Sequence, residues 1–273
     1  MYNADMSHLP ISVHVLTKNS AKTLERCLQS VHGCAQILII DGGSTDTTLE
    51  IAKRHGAKII AQPASALQRS AIRDFAAVRN VGLAAATQPW ILALDSDEEA
   101  SEELMEEIRK TMQQYSNGGM QQSAFWIPRR YRLPSGELVV HATTYPNERI
   151  YLFRKDAAEE WVKPVHERVR FRPATTIGRL RGWTIADLGT VAEYKEKNRR
   201  YLALERERSQ HLGWIAWIGR VLRTVRSRLI AILKLAWIWL LPHRGKRLPL
   251  TQEWARFWYA WRLVVETFPL RHR

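Results

Sequence analysis

Two cysteines in 273 residues exclude a disulfide-built scaffold, and the spacing of Cys27 and Cys34 fits no metal-binding motif. Cys27 falls on the apolar face of a predicted helix, so it reads as a buried, reduced thiol. The stretch Met1 to Pro10 lacks a basic start followed by an apolar core. No secretory signal is therefore expected, and the expected compartment is the cytosol. A helix needs about 20 apolar residues to cross a bilayer. The best candidate, Leu229 to Leu241, has 13 residues, holds Lys234 and stops at Pro242. It reads as interfacial rather than spanning. Acid is scarce as well: 27 Asp/Glu stand against 41 Lys/Arg, a net charge of +14. No internal repeat or low-complexity segment is present.

What is there is unevenly placed. From Arg199 to Arg273 there are 16 Lys/Arg and 4 Asp/Glu, so +12 of the charge sits in this tail, with seven of the 11 Trp. An anionic partner therefore meets the tail rather than the whole surface. Arg220, Arg223, Arg226 and Arg228 recur on a predicted helix that also carries Ile215, Ile218, Val221, Leu222 and Val225. A basic amphipathic helix with Trp suits an anionic membrane surface. The other reading is a helical hairpin packed on the core with its arginines solvated. Hydrophobic residues make up 45% and charged ones 25%, ordinary for a globular chain. The expected division is a catalytic-type domain over 1–211 and a helical, membrane-associating region over 212–273.

The first hundred residues alternate between two periodicities. Ile11 to Leu16, Gln36 to Ile40, Lys58 to Ala61 and Trp90 to Leu94 read as strands. Between them lie a helix carrying Leu24, Cys27, Leu28 and Val31, one carrying Leu49, Ile51 and Ala52, and one from about Gln68 to Ala86. This β-α-β-α-β-α-β order predicts an α/β fold with a mostly parallel, Rossmann-like sheet flanked by helices. A helix from Ser101 to about Tyr115 follows. A hairpin is expected around Leu133 to Gly136, a strand at Arg149 to Arg154, a loop or strand edge at Val165 to Val169, and a helix from about Thr190 to His211.

Ligands of open α/β sheets bind outside the carboxyl ends of the strands. The fourth strand ends there in Asp95-Ser96-Asp97-Glu98. Two carboxylates at a strand end can share a hard divalent cation with phosphate oxygens. The plainer alternative is a solvated turn leading to a helix capped near Ser101. The second strand ends in Asp41-Gly42-Gly43-Ser44 on the same edge, where Asp41 can accept from a base or ribose. Arg79 and Asn80, with Arg69 and Arg73 upstream, approach that edge from the third helix and can meet a diphosphate.

These segments together resemble the family 2 glycosyltransferases of the GT-A fold. They are Val15-Leu16-Thr17-Lys18-Asn19, Ile40-Asp41-Gly42-Gly43-Ser44-Thr45-Asp46, Arg79-Asn80-Val81-Gly82-Leu83 and Leu94-Asp95-Ser96-Asp97-Glu98, matching in order and spacing over about residues 10 to 100. Asn147 to Arg154 and Val165-His166-Glu167 are similar to segments of the bacterial lipopolysaccharide-core glucosyltransferases. The resemblance fades after about Lys197. It implies an inverting transfer from a nucleotide-sugar, usually a UDP-sugar, with Mg²⁺ or Mn²⁺. Thr17 and Asn19 would line the nucleoside pocket, Asp41 would meet the base, Asp95 the ribose and Asp97 the metal. Arg79 and Asn80 would lie near the donor. Direct displacement needs a general base on the acceptor hydroxyl; Glu167 is the candidate, with His166 beside it, and Asp187 and Glu148 are weaker ones. Arg149 and Arg154 would hold an acceptor phosphate or pair with Glu159 and Glu160.

The implied setting is the inner face of the cell membrane, with a lipid-linked or lipopolysaccharide-type acceptor and a peripheral enzyme. A polyprenyl-phosphate glycosyltransferase is the nearest alternative. It would need no strong base, because a phosphate is already ionised. A basic nucleic-acid-binding module is the alternative from another class. The tail's charges are interleaved with apolar residues and no nucleic-acid motif is present, so no nucleic acid is expected. A scaffold without activity is countered by the intact Asp41, Asp95, Asp97 and Glu167.

Overall fold

A computed structural model of the chain describes residues 8–63, 67–68, 71–72, 74–164, 167–210 and 212–269, with the backbone alone at 67–68 and 71–72. Arg69, Arg73, Val165 and His166, named above, lie outside the described residues. The chain divides into two compact units, Met1–Arg130 with Asn147–Ala186, and Tyr131–Pro146 with Asp187–Arg273. The helix expected before His211 and the hairpin tip group with the tail.

The first unit opens with β1 (Leu9–Thr17), α1 (Ala21–Ser30), β2 (Cys34–Asp41), α2 (Thr48–Arg54) and β3 (Lys58–Ala61). A short antiparallel pair, β4 (Leu67–Gln68) and β5 (Ala71–Ile72), precedes α3 (Phe75–Ala85) and β6 (Trp90–Asp95). The helix expected from about Gln68 therefore begins only at Phe75. Its start is set by Asp74, whose side chain accepts the Ala77 N–H at 3.0 Å, the bond of an N-cap. Next come β7 (Glu98–Ala100) and α4 (Glu102–Ser116), which Ser101 caps by accepting from the Leu104 N–H. β8 (Ala124–Arg132) and β9 (Val139–His141) flank the expected hairpin turn, and β10 (Glu148–Arg154) follows. The unit ends with β11 (Ala158–Val162), β12 (Arg168–Phe171), β13 (Ile177–Arg179) and β14 (Thr184–Asp187).

The central sheet runs β3-β2-β1-β6-β10-β8. Its first four strands are parallel, β10 is antiparallel to both β6 and β8, and β13 is parallel to β8. Being covered on both faces, β1, β2 and β6 are nearly continuous apolar runs; Val13, Val15, Leu38, Ile39, Leu92 and Leu94 are fully buried. α1 turns Leu24, Cys27 and Leu28 into the same core. Cys27 is a free, buried thiol whose pKa burial pushes far up, as its reading from sequence requires.

The second unit holds β9, α5 (Val191–Arg208), α6 (Trp214–Leu240), β15 (Lys246–Arg247) and α7 (Leu250–Glu266). Thr190 and Glu193 close α5 with a reciprocal capping box. Glu253 of α7 is buried, and accepts from the Thr143 N–H at 2.8 Å and from Thr143 Oγ1 at 2.5 Å, which ties the segment after β9 to α7. α6 is one unbroken helix. Among the described residues, no helix is long and apolar enough to cross a membrane. Of its four arginines only Arg223 and Arg226 are exposed. Arg220 turns to Ser209 Oγ at 3.1 Å and Arg228 lies over the Phe257 ring, so two of the four arginines expected to meet an anionic surface are engaged in packing.

Candidate active site

Three strand ends meet at the carboxyl edge of the parallel strands. β1 pairs with β2 on one side and β6 on the other, and the registers set Thr17 beside Asp41 and Leu16 beside Asp95. Asp41 is buried and organises its own turn. Its carboxylate accepts from Thr17 Oγ1, from the Gly43 and Ser44 N–H groups at 2.8 Å each, and from Ser44 Oγ at 2.5 Å. Gly43 sits at φ +81°, which its missing Cβ permits. Asn19, at φ +50°, accepts the Thr45 N–H at 2.8 Å and donates its own N–H to Ser44 Oγ at 2.9 Å. Ser20 Oγ and Ser96 Oγ lie 2.8 Å apart. Thr17, Asn19 and Asp41 are thus interlocked in two loops, and the end of β6 is tied to them.

Asp95 has a cation on each oxygen. Arg79 Nη2 donates to Oδ1 at 2.6 Å and Arg149 Nη1 donates to Oδ2 at 3.2 Å. Arg79 is fully enclosed. It donates to the Leu94 carbonyl at 3.1 Å, lies 5.4 Å from the ring centroids of both Tyr151 and Trp161, and has its Nε 3.6 Å from Glu167 Oε1. Burial opposes the charge on Arg79, but Tyr151, Asp95, Glu167 and Glu98 outweigh it and hold the pKa above the ordinary arginine value. A buried guanidinium persists where carboxylates and aromatic faces surround it. The approach of Arg79 to a diphosphate, expected from sequence, is not what the geometry shows. The side chain faces inward, onto Asp95 and Glu167.

Asn80 points elsewhere. Its amide takes the Trp161 N–H at 2.8 Å and donates to the Trp161 carbonyl at 3.0 Å, anchoring α3 to β11. Glu167, just ahead of β12, is mostly buried against Arg79. His166 lies outside the described residues. Glu148 is paired with Arg179 at 3.1 Å and Asp187 with Arg132 at 2.7 Å, so both weaker base candidates are engaged by arginines. Arg154 pairs with Asp156, while Glu159 and Glu160 pair with Arg170. Of the two alternatives for Arg149 and Arg154, the pairing with Glu159 and Glu160 is not the one found: Arg154 lies on Asp156, and Arg149 joins the Asp95 cluster.

Glu98 was not legible as part of this cluster. Its side chain is wholly buried, with Arg129 Nε at 2.9 Å and Arg149 Nη1 at 3.6 Å. Burial pushes its pKa up, and Arg129 and Arg149 pull it back. The signal available was a third acid directly after Asp95-Ser96-Asp97.

Asp97 is exposed beside this cluster and takes part in no ion pair of the described residues. Among those residues no group of three His, Cys, Asp or Glu side chains forms a metal cage. Mg²⁺ and its like need no cage, because one or two carboxylates with water and phosphate oxygens complete the shell. Asp95 is held by two guanidinium groups, so Asp97 is the carboxylate left for such an ion. The residues fit a cation shared with a bound phosphate.

The sequence model of glycosyl transferase family 2 matches residues 12–173, which include all of this strand edge and Glu167. A TPR repeat-containing protein of Synechococcus elongatus is 38% identical over 105 residues, 38% of this chain and 24% of that one. The lipopolysaccharide core biosynthesis glycosyltransferase LpsC of Rhizobium meliloti is 31% identical over 98 residues, 36% of this chain and 35% of that one. The matched stretch thus spans about a quarter to a third of these relatives. Among solved structures, S. aureus TarS 1-349 in complex with UDP-GlcNAc gives a TM-score of 0.46 at 15% identity, covering 96% of this chain and 91% of that one.

Proposed function

Because the chain belongs to glycosyl transferase family 2, we propose that it moves a sugar from a UDP-sugar to a hydroxyl of a membrane-linked glycan, of the lipopolysaccharide-core kind, with inversion at the anomeric carbon. The observation that carries this reading is the single buried guanidinium of Arg79 between Asp95 and Glu167, which ties a strand-end carboxylate suited to a ribose to a carboxylate suited to be the base. LpsC, the relative named for lipopolysaccharide core biosynthesis, supports the acceptor class. Such an acceptor calls for an enzyme working peripherally at the inner face of the cell membrane.

In this reading the Thr17, Asn19 and Asp41 loops receive the nucleoside, and Asp95 accepts from the ribose while Arg79 and Arg149 hold it in place. Asn80 supports the site from behind through Trp161. Asp97 would hold a Mg²⁺ or Mn²⁺ that neutralises charge on the departing diphosphate. Glu167 takes the proton of the acceptor hydroxyl as its oxygen attacks the anomeric carbon from the face opposite the diphosphate, and His166 adjoins it in sequence. Titration calorimetry with UDP and a panel of UDP-sugars, with and without Mn²⁺, tests the assignment. Metal-dependent binding that Asp97→Ala removes is the expected result. Binding of UDP that ignores both Mn²⁺ and Asp97→Ala would overturn the metal role, and no binding of any nucleotide-sugar would overturn the donor.

A further inference from the structure

α6 has two unlike faces. Ala231 and Ile238 are buried on one, and Trp217 Nε1 on that side donates to the Val264 carbonyl at 3.1 Å, so α7 packs there. The other face is an apolar ridge open to solvent. Ile215, Leu222, Leu229, Leu233, Trp237 and Leu240 are 57–89% exposed. They recur at spacings of seven, four and three, one side of a helix, and the ridge runs for about 38 Å at 1.5 Å per residue. α7 adds Trp254 and Trp261, both more than 60% exposed, with Trp254 resting against Phe257. Folded chains seldom leave an apolar strip of this length in water.

The charges say what covers it. α6 carries Arg220, Arg223, Arg226, Arg228 and Lys234 and not one Asp or Glu. Arg226 falls on the ridge side of the helix and Arg223 on its flank, both exposed. A second copy laid face to face on this ridge would bring those arginines together with no acid to answer them, and charged groups are depleted from the centres of protein interfaces. An anionic headgroup layer supplies the counter-charge, lets arginine stems lie along the acyl boundary, and is where Trp rings settle.

We infer that the Ile215–Leu240 ridge of α6 lies in the plane of an anionic phospholipid bilayer, inserted to headgroup depth, with Arg223 and Arg226 on lipid phosphates. The helix lies on the membrane and does not cross it. This surface is separate from the transfer chemistry: vesicle binding needs neither donor nor acceptor, so either reading can fail alone.

The test is sedimentation of the full chain with vesicles of phosphatidylcholine, with and without phosphatidylglycerol. The wild type binds the anionic vesicles, high salt weakens binding without abolishing it, and brominated lipid quenches part of the Trp emission. Leu222→Glu/Leu229→Glu/Leu233→Glu, all at exposed positions, lowers binding by roughly a hundredfold or more, while unchanged UDP affinity checks that the chain is folded. Arg223→Gln/Arg226→Gln lowers it by about 25-fold, from roughly fivefold per arginine, and flattens the salt dependence. No binding at low salt, equal binding to uncharged vesicles, or a triple-Glu chain that binds like wild type overturns the inference. So does a wild-type dimer in light scattering that the triple-Glu chain breaks into monomers without any vesicle binding.

Discussion

Arg79 joins Asp95 and Glu167: its Nη2 donates to Asp95 Oδ1 at 2.6 Å, and its Nε lies 3.6 Å from Glu167 Oε1. The two acids stand 72 positions apart in the sequence, one at the end of β6 and the other ahead of β12. One planar group with donors on two edges can hold both at once, whereas a lysine ammonium acts as a single point of charge. Tyr151 and Trp161 flank the guanidinium and limit its movement. Asp95 and Glu167 are therefore positioned relative to each other by one side chain that solvent does not reach.

Arg79→Lys should keep the positive charge and lose the bridge. The expected result is a folded protein that binds UDP within a few-fold of wild type and transfers sugar about a hundredfold more slowly, the scale set by misplacing a reacting group by an ångström. Transfer rates and UDP titrations on the same preparation measure both. Wild-type turnover in Arg79→Lys would mean that the bridge does not position the base.

Glu167→Gln removes a proton acceptor with almost no change in volume. Loss of general-base catalysis typically costs ~10²–10⁴-fold in rate, and transfer should fall by that much while UDP affinity holds. What is lost is one charge contact, Arg79 Nε to Glu167 Oε1 at 3.6 Å and longer than a hydrogen bond, so Tm should move little. If turnover stays near normal, the base is another group, and Glu148, on β10 and paired with the exposed Arg179, is the next to substitute.

The parallel core was legible because its strands are continuous apolar runs that end in polar turns, and those runs fixed both the sheet and its ligand-binding edge. Asp41, Thr17 and Asp95 meet there because β1 lies between β2 and β6, an order that right-handed crossovers favour. What the side chains do at that edge was not legible. Arg79 reads in sequence as a cation for a phosphate. Whether it faces the ligand or the protein depends on Tyr151, Trp161 and Glu167, which arrive from β10, β11 and the start of β12. The late start of α3 escaped for another reason: residues 67–73 carry no Gly or Pro, yet β4 and β5 pair with each other as a short antiparallel ladder. On α6 the arginine spacing was visible, but not that Ser209 and Phe257 would claim two of the four.

His14 gives the fold an acid limb of its own. It sits in the middle of β1, fully buried, with neither ring nitrogen hydrogen-bonded to a described residue, and α3 presses on it at Gly82, where a Cβ would come within 2.9 Å of Nδ1. Burial, then the nearby Arg79 and Lys155 charges, push its pKa down from 6.5 to about 3. The folded chain keeps His14 neutral while the unfolded chain protonates it near 6.5. The stabilisation is therefore complete above about pH 6.5 and is lost as the pH falls from there towards 3. The slope for one such group starts at half of about 1.4 kcal/mol per pH unit at pH 6.5 and approaches that limit below it, so about 1.6 kcal/mol should be lost between pH 6.5 and 5. His14→Leu, of similar bulk and without a titrating ring, should lack that slope. Urea unfolding of both proteins at pH 7.5, 6.0 and 5.0 measures it, since carboxylates common to the two chains cancel in the comparison. Parallel stability curves for His14→Leu and wild type over this range would show that His14 is not the buried group that titrates.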